Sequence, residues 1–279
     1  MVKKIKQQCQ EQEHKGAKIQ DKFNYPSFLK SKYAGIHPLS ERIIELSYAE
    51  DMLVYEKSVE IISTSIKYVE ASCDSFDKDT LRHSVAVTEW AIKIAKYLKL
   101  EKELENIILT GILHDDGKRN ISRSLLNKPK ASMDLKEWNE IQQHCITSAI
   151  NASKLLKNYL ERDECIHIIN NIQFHHEKYD GSGYFHIKGE EIPLYSRIIA
   201  VPDVYDAITN PRPYRDWVLT KEEAVKHILK EEKLYDAKVL AAFLKILGYT
   251  PDAVADILKT FLKEEELRDA KVLAAFKKI

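Results

Sequence analysis

Residues 104–118 read LENIILTGILHDDGK, an apolar run that closes on His114-Asp115 and passes at once into Asp116-Gly117-Lys118. Leu104, Ile107, Ile108, Gly111 and Ile112 recur at helical spacing, so a helix is expected from about Lys102 to Leu113. A His-Asp pair alone is weak evidence, because chance produces such dipeptides often. Its support lies downstream, in HHEKYDGSGYF at 175–185 and RIIAVPDVYDAITNPRPYR at 197–215.

Outward from this segment the helical rhythm continues. Only 8 Gly and 8 Pro occur in 279 residues, and most segments carry apolar residues at i, i+3, i+4 and i+7, which argues for an all-α protein. Leu81, Val85, Thr88, Ile92 and Ala95 form one stripe of a helix near Asp79–Leu98. Leu39, Ile43, Leu46, Met52, Leu53, Val59, Ile62, Ile66 and Val69 suggest one or two amphipathic helices, suited either to covering the main domain or to pairing in a homodimer. Further helices are expected at 134–158, 161–176, 194–207, 221–232 and 236–247, with the longest Gly/Pro-rich interruption at Asp180–Pro193. Residues 1 to about 34 are Lys/Gln-rich and read as a loosely attached extension. At the other end, LKEEKLYDAKVLAAFLKI (229–246) returns as LKEEELRDAKVLAAFKKI (262–279), an internal duplication expected to add a helix to the end of the domain.

Apolar residues at 44% and charged residues at 31% mark a globular chain rather than a disordered one. Lys+Arg equals Asp+Glu at 43 each, and the two signs mix along the helices, which argues against polymeric DNA or RNA as a partner. No apolar run reaches the roughly 18 residues that span a bilayer, and MVKKIKQQCQEQEHK lacks a signal-peptide core, so a cytoplasmic location is expected. Cys9, Cys73, Cys145 and Cys165 are scattered without a CxxC pair and read as free thiols, not metal ligands.

Histidine is the informative residue type. Five of the ten fall at His83, His114, His144, His175 and His176, each near a helix or helix end, which suggests that they converge. With DKDTLRHS at 77–84, HDDGK at 114–118, the lone His144, HHEKYDGSGY at 175–184 and DVYDAITNPRPYR, the chain resembles the HD-GYP domain, a branch of the HD superfamily of metal-dependent phosphohydrolases that hydrolyses cyclic di-GMP. The resemblance covers roughly residues 67–247 and implies an HD-domain helical bundle. Residues 1–66 would be a helical extension before it and 248–279 a C-terminal helical extension.

By that resemblance His83, His114, Asp115 and Asp203 would hold one divalent ion and His144, His175 and His176 a second, with Asp115 bridging both. Imidazole and carboxylate ligands without thiolate suit iron or manganese, with zinc less favoured. Two ions about 3.5–4 Å apart can clamp an in-line phosphoryl displacement. Some family members hold a third ion through a Glu where this chain has Asp79, which would either serve that ion or act as a helix N-cap. Lys118 resembles the family's phosphate-contacting lysine, Arg212 and Arg215 its phosphate clamp, and Gly183 and Tyr184 its substrate loop. Glu177 is expected to stand behind the ligands rather than bind metal.

Three departures from the family stand out. The signature GYP reads Gly183-Tyr184-Phe185, Asp116 replaces an aliphatic residue and is expected to place an extra carboxylate beside the metals, and Pro202 precedes Asp203. The expected activity is a metal-dependent phosphodiesterase acting on cyclic di-GMP, giving linear pGpG and then GMP. A cyclic-dinucleotide-binding signalling module with little turnover is one alternative. An HD phosphohydrolase for another nucleotide is the other, and Phe185 keeps it open.

Overall fold

Among the described residues there is no strand; the 3.6-residue rhythm decides every element. The computed structural model describes residues 56–72, 78–212, 217–263 and 269–279, with positions 42, 43, 46, 266 and 267 beside them. The helices are α1 (Glu56–Ser72), α2 (Lys78–Tyr97), α3 (Leu104–Leu113), α4 (Arg123–Leu126), α5 (Leu135–Gln142), α6 (His144–Leu156), α7 (Arg162–Gln173), α8 (Leu194–Thr209), α9 (Lys221–Lys230), α10 (Ala237–Ile246), α11 (Pro251–Leu258) and α12 (Lys271–Phe276). A 3₁₀ turn at Asp116–Asn120 follows α3.

Helix α3 is the axis of the bundle because it is apolar nearly all round. Leu104 and every residue from Ile107 to Leu113 are buried, against α2, α1, α7 and α8. Each of its large aliphatic side chains contributes roughly 1.5–3 kcal/mol by leaving water. Gly111 lets α2 approach: a Cβ there would lie 2.5 Å from Thr88 Oγ1, a hydroxyl that donates to the Ser84 carbonyl. Helix α8 packs along α2, and α6 packs on α7 and on the 3₁₀ turn, so the end of α3 is enclosed. Capping is orderly: Asp134 with Glu137 and Thr220 with Glu223 form capping boxes at α5 and α9.

On α1, Val59, Ile61, Ile62, Ile66 and Val69 are buried within the same chain, against α3 and α2. This part of the N-terminal stripe is therefore intramolecular cover rather than a pairing face. The expected extension at 1–34, with Leu39, Met52 and Leu53, lies outside the described residues. The helix expected at 134–158 is two helices meeting at a turn at Gln143, where the His144 side chain takes the Ile141 carbonyl.

The two tail repeats supply α10 and α12, which pack on each other. Leu244 in the first copy is fully buried and Lys277, its counterpart, is exposed, which accounts physically for that difference between the copies. None of the described helices is long and apolar enough to cross a membrane.

Candidate metal centre

Helix ends build this centre. The last carbonyls of an α-helix have no partner within it. Three such ends are closed by a histidine ring: His114 Nδ1 lies 2.7 Å from the Gly111 oxygen of α3, His144 Nδ1 2.6 Å from the Ile141 oxygen of α5, and His175 Nδ1 2.6 Å from the Ile172 oxygen of α7. A carbonyl only accepts, so in each ring Nδ1 carries the proton and Nε2 presents a lone pair to the common space. Helices α3 and α7 aim their negative C-terminal ends at that space, which favours a cation there.

Asp115, one residue past α3, stands between these rings. Its Oδ2 is 3.6 Å from His83 Nε2 and 3.5 Å from His114 Nε2. Its Oδ1 is 3.4 Å from His144 Nε2 and 3.7 Å from His175 Nε2. One carboxylate thus offers each oxygen to a different pair of imidazoles. Asp115 Oδ1 and His114 Nε2 are buried with no hydrogen-bond partner among the described residues, a costly arrangement that a bound cation would relieve.

From α2, His83 reaches Asp203 Oδ1 at 3.0 Å through Nε2 and Asp206 Oδ2 at 2.6 Å through Nδ1. The Asp206 contact orients the ring from behind, and Asp206 is in turn held by Asn210, Arg82 and Arg212. Sequence reasoning missed this residue; its signal was the three-residue spacing from Asp203, which puts both carboxylates on one face of α8. His176, its side chain 21% exposed, lies 3.6 Å from Asp203 through Nδ1. Ligand atoms of three overlapping groups converge within 4.8 Å: His83 with His114 and Asp203, His114 with Asp115 and His175, and His144 with Cys145, His175 and His176. All seven ligand positions expected in sequence are therefore in one place, together with Cys145, which was not expected.

The electrostatics suit a cation. Burial and then the neighbouring His114 and His144 rings lower His175 to about 3, and burial with His175 holds His176 well below its ordinary value. Burial also lowers His114 against the pull of Asp115. These imidazoles are neutral at pH 7, the form that ligates metal. Burial alone would raise Asp115 and Asp203, yet both are held well below the carboxylate range, Asp115 by Lys118 and His114, Asp203 by its bond to His83 and by His176.

Lys118 Nζ sits 2.6 Å from Asp115 Oδ2; burial would lower it, but Asp115 and Asp203 outweigh that and raise it. Arg212 borders the same space, 3.5 Å from Asp206, and its Nε is buried without a partner among the described residues. Arg215 lies outside the described residues. Tyr184 places its ring 4.9 Å from that of His176. Asp79 does not join the centre: it is in the first turn of α2 rather than at the N-cap, its side chain is 53% exposed, and it faces Arg82 at 4.0 Å. Asp116 also differs from expectation, because its carboxylate is engaged by Arg119 and Asn151 instead of standing among the ligand atoms.

The missing proline of the 183–185 loop has a physical replacement. Glu177, only 2% exposed, accepts from Phe185 N at 2.7 Å and from Ile187 N at 2.6 Å. A proline at 185 has no N–H and could not make the first bond. The Phe185 ring also meets Phe174 edge-on at 5.4 Å. Gly183 is required where it stands, since a Cβ would lie 2.5 Å from Glu177 Cα.

A helical bundle that closes on a cluster of histidines and aspartates, with a His-Asp pair at the end of its central helix, defines an HD domain, and this chain belongs to that family, matching it over residues 63–239. The cyclic di-GMP phosphodiesterase PA4108 of Pseudomonas aeruginosa is 36% identical over 183 residues, covering 63% of this chain and 41% of that protein. The 3'3'-cGAMP-specific phosphodiesterase 1 of Vibrio cholerae is 31% identical over 199 residues, 71% of this chain and 43% of that protein. This chain thus spans less than half the length of these curated relatives. Among solved structures, Bd1817, an HDG"Y"P protein from Bdellovibrio bacteriovorus, shares the fold with a TM-score of 0.52 at 17% identity, over 83% of this chain and 82% of that one.

Proposed function

We propose that this chain is a metal-dependent phosphodiesterase that opens cyclic di-GMP to linear pGpG. His83, His114, Asp115 and Asp203 would hold one divalent ion, His144, His175 and His176 a second, and Asp115 would bridge them. The observation that carries this reading is the Asp115 carboxylate, each oxygen of which faces a different pair of buried imidazoles at 3.4–3.7 Å. The imidazole and carboxylate donors suit iron(II) or manganese(II). Two such ions supply charge to the phosphoryl oxygens and acidify water at neutral pH.

The chain's own residues supply placement. Lys118, kept charged beside Asp115, faces a non-bridging phosphate oxygen as a point charge. Arg212 offers a planar fork to the phosphate that does not react. Tyr184, on the loop pinned by Glu177, closes the His176 side of the cleft and packs against the sugar or base. Both buried aspartates stay ionised and so offset the cations without taking up a proton.

Relatives named for 3'3'-cGAMP favour a second reading in which one guanine is replaced by adenine. Purified protein, loaded with Mn²⁺ or Fe²⁺ and offered cyclic di-GMP, 3'3'-cGAMP and a simple phosphodiester, tests both. Preferential cleavage of cyclic di-GMP supports the leading reading, preference for 3'3'-cGAMP the second. Metal-loaded protein that binds a cyclic dinucleotide without cleaving it would reduce the chain to a signalling module.

A further inference from the structure

Cys145 follows His144 at the start of α6 and is fully buried. Its sulfur lies 3.6 Å from His144 Nε2, and it shares a 4.8 Å cluster with ring nitrogens of His144, His175 and His176. His144 Nε2 and His175 Nε2 are themselves 3.4 Å apart. Both rings turn Nδ1 to a backbone carbonyl, which leaves the two Nε2 atoms facing each other as the positions from which a shared ion would be ligated.

Simple geometry says what kind of cation would fit. With metal–nitrogen bonds of about 2.05 Å and a metal–sulfur bond of about 2.3 Å, donors about 109° apart at the ion lie about 3.3 Å from each other as two nitrogens and about 3.6 Å as a nitrogen and a sulfur, a spacing that a five-coordinate ion with Asp115 as its fifth donor also accommodates. The structure has 3.4 Å and 3.6 Å for these two edges. An octahedral ion with bonds of about 2.1 Å would bring neighbouring donors to about 3.0 Å. Asp115 Oδ1, buried without a hydrogen-bond partner among the described residues and 3.4 Å from His144 Nε2 and 3.7 Å from His175 Nε2, points independently to a cation in the same space.

We propose that Cys145 is a sulfur donor to the ion held by His144, His175 and His176, and that it biases this position toward a thiophilic ion, iron(II) or zinc, over manganese. The inference rests on the bimetal reading and deepens it. On binding, the S–H bond breaks, the sulfur lone pair forms the bond to the metal, and the proton leaves to solvent; no electron is transferred.

Cobalt(II) titrated into the metal-free, full-length protein tests it, because sulfur coordination gives a near-ultraviolet charge-transfer band while any bound cobalt gives visible ligand-field bands. Wild type should show both, Cys145→Ser only the visible bands, and Cys165→Ser both. In a zinc–manganese competition read by metal analysis, Cys145→Ser should show a smaller preference for zinc than wild type, the remainder being what imidazole and carboxylate donors give without sulfur. Visible bands in wild type without the charge-transfer band would overturn the proposal and leave the bimetal reading standing, as would a charge-transfer band that survives in Cys145→Ser. If wild type bound no cobalt at all, the bimetal reading would fall and the proposal with it.

Discussion

Replacing Glu177 by Gln tests whether this carboxylate is the pin of the substrate loop. Its two oxygens each accept one backbone N–H, from Phe185 at 2.7 Å and Ile187 at 2.6 Å, in a site 2% exposed. A carboxamide keeps one acceptor and turns an NH₂ group toward the other N–H. One charge-assisted bond, worth roughly 1.5–3 kcal/mol, disappears, and the other falls to the neutral value of roughly 1 kcal/mol. The closed loop should therefore lose about 2–5 kcal/mol, a shift of about 30- to 5000-fold toward opening. Native-state hydrogen exchange reads this directly: the Phe185 and Ile187 amides should exchange faster by that factor while the amides of α3 keep their protection. Metal content should remain that of wild type, and KM for cyclic di-GMP should rise because Tyr184 is on the loosened segment. Unchanged exchange at both amides would refute the pinning role.

Other substitutions probe the frame and the cleft. Gly111→Ala pushes a methyl group against Thr88 Oγ1, which is tied to the Ser84 carbonyl, and should destabilise the fold by about 1–3 kcal/mol in urea denaturation without removing a ligand. Asp206→Asn leaves the His83 ring without its carboxylate partner and should weaken metal affinity by about 10–100-fold, measured by competition with a chelator. Arg212→Ala should raise KM more than it lowers kcat, since the phosphate it would hold does not react; a fall in kcat alone would assign it to the transition state.

The all-helical rhythm and the convergence of five histidines are legible in the sequence because periodicity and residue type are local properties, whereas Asp115 and Asp203 entered the candidate site through the resemblance to a known family. What the sequence did not carry depends on contacts between distant segments. The break at Gln143 arises when His144 turns to close the end of α5, and a continuous amphipathic pattern across 134–158 gives no sign of it. Asp206 looks like any helical carboxylate until α8 lies along α2 and brings it within 2.6 Å of His83, 123 residues away. Asp116 shows the reverse: adjacent in sequence to a ligand, it is drawn off by Arg119 and by Asn151, 35 residues on. Phe185 reads as the loss of a rigid residue, yet its N–H gains a bond to Glu177 that proline could not form. Cys145 reads as a free thiol outside any metal site because scattered cysteines have no ligand spacing, and only the meeting of α5, α6 and α7 places its sulfur among the imidazoles.

The central claim is that one carboxylate serves two ions, and Asp115→Asn puts it to the most direct test. The amide keeps the size of the side chain but removes the charge that faces both imidazole pairs, and it bridges cations poorly. Metal analysis, circular dichroism and cyclic di-GMP hydrolysis are measured on one preparation each of wild type and variant. Wild type should carry about two ions per chain and turn over. The variant should keep its helical signal, lose at least one ion and lose nearly all turnover, whereas wild-type metal content and turnover in Asp115→Asn would contradict the bimetal account.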